Sequence, residues 1–185
     1  MIYKKITPPI STEQLQDLKA GDKIAITGTI ITARDAAHKR MINHLEQYGE
    51  LPLDLEGKMI YYVGPTKNKP GEVIGSAGPT TSGRMDLYTN HLLKQGVKGF
   101  IGKGNRSQEV KEGLKKYNGV YMAAVGGAGA YLKKTIKHSK IILYKDLGTE
   151  AIRKLEVEQF PVTVINDIYG NDLYIQGREK YKLET

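Results

Sequence analysis

The sequence contains no cysteine. Disulfides, a thiolate nucleophile and any cysteine-ligated zinc or iron–sulfur site built from this chain alone are thereby excluded. Histidine is scarce, limited to His38, His44, His91 and His138, and no pair has the short spacing of a helical metalloprotease motif. A metal held by this chain alone is not expected, so metal chemistry would have to come from a partner. Long apolar runs are missing too. Residues 24–31 contain two Thr and a Gly, and residues 120–125 are bounded by Gly119 and Gly126. Neither approaches the roughly 20 apolar residues that span a bilayer. Residues 1–10 carry Lys4, Lys5, Pro8 and Pro9 and no apolar h-region, so no secretion signal is expected and the cytoplasm is the expected compartment.

What is present is a basic chain of 185 residues with net charge +8 and pI near 9.4, a length that suits one domain over residues 1–185. Only six of its 28 basic residues are Arg, and its 12 Tyr are scattered. Nucleic-acid binding normally clusters Arg forks or stacked aromatics, so no nucleic-acid partner is expected. A lysine-coated surface and a small anionic ligand both remain open.

The pattern alternates strands with helices. A short helix is expected over residues 11–19 behind a Ser/Thr cap, then a β-branched strand over Lys23–Thr32. Asp35 reads as the N-cap of a helix running to Tyr48, with Met41, Ile42 and Leu45 at helical spacing and Gly49 as its stop. Further strands are expected at 59–63, 98–101, 120–125, 141–144 and 160–165. Helices are expected after Arg84, with Met85, Leu87, Leu92 and Leu93 on or near one face, through Val110 and Leu114, and over 131–136. A turn at 169–172 precedes Leu173. Strand–helix alternation implies an α/β domain with largely parallel pairing, and the strand-rich ends add a second β layer in a mixed β/β/α arrangement.

Four places share one grammar: a strand ends, small residues follow, a helix begins. They are Ala33-Arg34-Asp35, the loop 75–84, residues 102–107 and residues 126–130. Such loops gather at the carboxyl ends of parallel strands, where backbone N–H groups and helix N-termini favour anions. Three carry a cation: Arg34, Arg84 and Lys103. Taken singly, each has an ordinary explanation. Arg34 could pair with an acid, Lys103 could be solvated, Thr80 and Thr81 could cap a helix, and His38 could be packed. The convergence of cations on small-residue loops is what points to a function, the capture of a small anion.

The segments Ala33-Arg34-Asp35-Ala36-Ala37-His38, Tyr62-Val63-Gly64-Pro65, the twelve residues from Gly75 to Asp86 (Gly-Ser-Ala-Gly-Pro-Thr-Thr-Ser-Gly-Arg-Met-Asp), Gly102-Lys103-Gly104 and Gly126-Gly127-Ala128-Gly129-Ala130 occur in this order. Together they resemble the beta subunit of class I fumarate hydratase and of L-tartrate dehydratase, a module that is also the C-terminal domain of the single-chain enzymes. The resemblance implies a swivelling β/β/α domain that closes on an alpha subunit, in an alpha–beta heteromer that dimerises. The alpha subunit would ligate a [4Fe–4S] cluster that this chain does not ligate. It further implies that Arg34, Arg84 and Lys103 hold the carboxylates of a dicarboxylate substrate and that Thr80 stands beside the reacting carbon. Thr80, Lys103 and Arg34 would be the catalytic groups, with Asp35 and His38 orienting Arg34. The implied reaction is the reversible hydration of fumarate to L-malate. A tartrate or mesaconate substrate, and a stand-alone anion-binding module, remain alternatives.

Overall fold

Strands with apolar residues on both faces need cover on both, and here a sheet closing on itself provides half of it. A computed structural model describes residues 3–182. Its strands are Lys4–Ile6 (β1), Lys23–Thr32 (β2), Met59–Tyr61 (β3), Gly99–Gly102 (β4), Val120–Ala123 (β5), Ile136–Leu143 (β6) and Ile152–Asn166 (β7). They lie in the order β1-β2-β3-β4-β5-β7-β6, with β2 also paired to β7. Strands β1 to β5 run parallel to their neighbours, and β7 runs antiparallel to β2, β5 and β6. The β2–β7 ladder, from Lys23↔Thr163 to Thr32↔Arg153, closes β2, β3, β4, β5 and β7 into a small barrel. Strands β1 and β6 extend it as flaps.

Alternation sorts the side chains into two cores. Ile26, Ile30, Tyr61, Ile101, Met122 and Val164 fill one, while their neighbours Ile31, Ile60, Tyr62, Phe100, Tyr121 and Ile165 belong to the other. Helices Asp35–Tyr48 (α2), Asp86–Lys94 (α3) and Gln108–Lys116 (α4) cover the second with Met41, Leu92, Leu93, Val110 and Leu114. Thr12–Gln16 (α1) and Gly129–Thr135 (α5) send Leu15 and Leu132 into the first. Each such aliphatic residue contributes about 1.5–3 kcal/mol of burial. Leu173–Tyr181 (α6) follows the barrel and buries no residue. Among the described residues no helix is long and apolar enough to cross a membrane.

The mixed, partly parallel α/β sheet is the one expected, and β2 and α2 occupy the expected residues. Several details differ. Helix α1 ends at Gln16. Asp35 is not the cap of α2: Arg34 holds that position in extended conformation, without a side-chain capping bond, and the Asp35 carboxylate turns to Arg84 instead. Leu87 does not join the buried face of α3, being 81% exposed. Strand β7 is 15 residues long. Its first half escapes notice because Gln159, at φ 50°, breaks the alternation opposite a register shift between Ile26 and Gly28. The two halves therefore present apolar residues out of phase.

Candidate active site

Because β2 to β5 are parallel, the segments that leave their carboxyl ends emerge at one rim. The chain between β3 and α3 returns to that rim and is strapped there by its backbone. Thr80 N–H donates to the Tyr62 carbonyl at 2.7 Å, Lys103 N–H to the Thr80 carbonyl at 3.2 Å, and Ser82 N–H to the Lys103 carbonyl at 2.9 Å. Thr81 and Lys103 thus form a parallel bridge beside the end of β4. Farther back, Ala77 N–H donates to the Gly129 carbonyl at 3.2 Å, tying in the fourth small-residue loop. Gly102 permits this approach, since a Cβ there would strike the Ser82 hydroxyl. Thr81 stands at the start of the 3-10 turn Ser82–Met85 and makes no side-chain capping bond. The capping explanation for that hydroxyl therefore fails.

The two arginines converge on one carboxylate. Arg84 Nε lies 2.9 Å from Asp35 Oδ1, and Arg34 Nη2 lies 3.5 Å from Asp35 Oδ2 and 3.7 Å from Glu150 Oε1. Glu150 does a second job: its Oε2 accepts from Ala36 N–H at 2.8 Å, satisfying a free amide at the N-terminus of α2. Arg34 runs along Gly64, where a Cβ would come within 2.6 Å of Nη1. Its side chain is 21% exposed, that of Arg84 53%. Arg34 is thus held in a slot while Arg84 is free to exchange partners. Arg34 Nε, a donor, and Asp35 Oδ2, an acceptor, are buried without a hydrogen-bond partner among the described residues. Lys103 is exposed on the loop bonded to Thr80.

His38 lies fully buried one turn into α2, between Tyr62 and Tyr88 at ring separations of 5.4 and 5.8 Å. Its Nδ1 is 2.8 Å from the Arg34 carbonyl, which can only accept, so Nδ1 carries the proton and Nε2 is bare. Burial, with the Arg106 charge adding to it, holds the imidazole down at about 4. His38 is a neutral brace for the Arg34 backbone.

Two contributors have no local sequence signal. Glu150 reaches Ala36 across 114 residues of chain. Arg106, its side chain fully buried, donates from Nε to Asp86 at 2.7 Å and from Nη2 to Thr89 at 2.6 Å. Its guanidinium sits 5.0 Å from the Tyr121 ring centre and 5.3 Å from that of Tyr62. Asp86 also accepts from Ser107 N–H at 2.6 Å. Arg106 and Asp86 therefore join the loop after β4 to the start of α3.

Cations on neighbouring loops of one rim can grip a small anion bearing more than one negative group, and the Thr80 backbone is bonded to the loop that carries Lys103. Among the described residues no group of three His, Cys, Asp or Glu side chains could hold a metal ion, and the sequence holds no cysteine thiolate.

Comparison with known proteins adds one family match and three relatives. A family model described as "Fumarase C-terminus" matches residues 4–177. The class I anaerobic fumarate hydratase of Escherichia coli K12 is 41% identical over 165 residues, 88% of this chain but 30% of that enzyme. Fumarate hydratase 2 of Leishmania major is 39% identical over 88% of this chain and 29% of its own length. The chain thus spans about three tenths of these relatives. The L(+)-tartrate dehydratase subunit beta of E. coli K12 is 33% identical over 183 residues, 96% of this chain and 90% of that subunit.

Proposed function

This chain belongs to the fumarase C-terminus family, and on that premise we propose that it is the beta-type subunit of an iron–sulfur hydro-lyase that hydrates fumarate to L-malate reversibly. The observation that carries this reading is the convergence of Arg34 and Arg84 on Asp35, beside a loop pair that holds Thr80 and Lys103 in backbone contact. In this reading a substrate carboxylate takes the place of Asp35 against Arg84. Arg84, the more exposed of the pair, trades Asp35 for the diacid, and Arg34 stays braced by Glu150, Gly64 and His38.

The chemistry requires these residue types. Removing a proton beside a carboxylate builds charge on that carboxylate, and guanidinium and ammonium groups aimed there stabilise the transition state more than the ground state. A [4Fe–4S] cluster held by an alpha subunit would supply a Lewis acid for the hydroxyl group. Thr80 is the hydroxyl nearest the reacting carbon, either moving the proton or hydrogen-bonding the substrate. Only a cation at contact distance would make it a usable base.

A separate polypeptide as partner is supported by the name of one relative, a tartrate dehydratase subunit beta matched over 90% of its length. Three large apolar side chains stand exposed in segments that leave the rim, Leu87 at 81%, Val125 at 71% and Tyr131 at 60%. They suit burial under such a partner. An alpha–beta heteromer that pairs with itself, working in the cytoplasm, completes the proposal.

The full-length match to a tartrate dehydratase subunit favours a second reading, in which the diacid is tartrate. Fumarate and tartrate differ at a few pocket contacts. Anaerobic co-purification with an alpha subunit, followed by assay on fumarate, tartrate and mesaconate, tests both. Activity on fumarate above the others supports the first reading. A chain that binds diacids tightly alone and gains no activity with any alpha subunit refutes it.

A further inference from the structure

Between the two loops that carry the candidate ligands lies a buried phenol. Tyr121, in the middle of β5, is fully buried, and its hydroxyl donates to the Gly104 carbonyl at 2.8 Å. The Ser82 hydroxyl, also fully buried, lies 2.9 Å away. A phenol has one proton, and Gly104 takes it, so Ser82 must donate into Tyr121. The result is a directional chain from Ser82 through Tyr121 to Gly104. Its ends are well placed. Ser82 is two residues from both Thr80 and Arg84, and Gly104, in left-handed conformation at φ 82°, directly follows Lys103. Burial pushes the phenol up, far from neutral pH, so the donor stays protonated.

We propose that the Tyr121 hydroxyl is a positioning group that locks the Thr80–Arg84 loop to the Lys103 loop, through Ser82 on one side and the Gly104 carbonyl on the other. The function of those loops rests on the reading given above; the lock itself does not. A tyrosine merely satisfied in a core would bond to whatever backbone lay nearby. Here both partners belong to the loops, and the backbone bond from Ser82 to the Lys103 carbonyl runs alongside. Flexible Arg and Lys side chains can still reach a bound carboxylate when their loops drift, whereas the transition state demands all of them in register at once. Loss of the lock therefore falls on turnover rather than on substrate binding.

The test uses Tyr121→Phe, Ser82→Ala and the double variant, with two measurements. In the isolated chain, amide hydrogen exchange over residues 80–84 and 102–106 should quicken together in Tyr121→Phe by about tenfold, the scale of one lost buried hydrogen bond. Exchange in α2 should stay unchanged. In the complex with an alpha subunit, Tyr121→Phe should lower kcat by about tenfold or more with KM within about threefold, the mark of an interaction felt in the transition state. The double variant should be no worse than Tyr121→Phe, because both changes cut one chain. Wild-type exchange in both loops of Tyr121→Phe, losses that multiply, or a raised KM at unchanged kcat would overturn the proposal. If the wild-type complex is inactive on every diacid, the function fails and the exchange measurement still decides the lock.

Discussion

At the scale of single residues, Arg84 has most to do and least to hold it. Arg84→Ala in the reconstituted complex is expected to leave assembly intact and lower turnover at least about a hundredfold, measured as kcat/KM on the preferred diacid. Arg84→Lys should recover only part of the loss, since an ammonium lacks the planar fork that matches a carboxylate. His38 sets a different expectation. Its folded value near 4 lies below the ordinary 6.5, so the unfolded chain takes up the proton first as pH falls. The neutral ring's contribution is complete above pH 6.5 and is lost as pH falls from 6.5 to 4, a change of roughly 3 kcal/mol. Urea midpoints at pH 7 and pH 4.5 should show this slope, and His38→Gln should flatten it. Arg34, Arg84 and Lys103 stand out in sequence as candidates because each cation sits on a small-residue loop between a strand and a helix. Glu150 and Arg106 do not, because their value lies in contacts that only the folded chain creates.

Among the elements, α2 shows how local rules and tertiary demands divide the work. Its stop follows from chemistry within one turn. Gly49 takes φ 78° and its N–H closes on the Leu45 carbonyl at 2.8 Å. Gly49→Ala should cost about 1 kcal/mol and lower the melting temperature by a few degrees without touching the rim. The start of α2 was misread, and for an instructive reason. An Asp ahead of a helix usually caps it; here Glu150 satisfies the Ala36 amide from afar, which releases Asp35 for Arg84. Strand β2 and the body of helix α2 could be read from local pattern, β-branched residues in the one and Met41, Ile42 and Leu45 at helical spacing in the other. Strand β7 could not, because a positive-φ glutamine in its middle resets the alternation.

For the molecule as a whole, parallel order in the middle of the chain was readable from alternation, but barrel closure was not. Pairing of β2 with β7 is a long-range register that no local pattern announces. The predicted face toward a partner is testable at this scale. Leu87→Asp and Val125→Asp should leave the melting temperature of the isolated chain within a few degrees of wild type, yet weaken co-purification with an alpha subunit at least about tenfold, as expected when exposed apolar residues are interface anchors. Unaltered co-purification would move the interface elsewhere. The closure itself has a consequence for biosynthesis. Lys23 and Thr163, 140 residues apart, are partners in one ladder, so β2 leaves the ribosome long before the strand that completes it. Until residue 166 is free, the nascent chain carries β2 and β5 with unfilled edges, ready to pair with a neighbouring polysome's product. Translation speed and holding chaperones, rather than final stability, would then set the yield of the native fold.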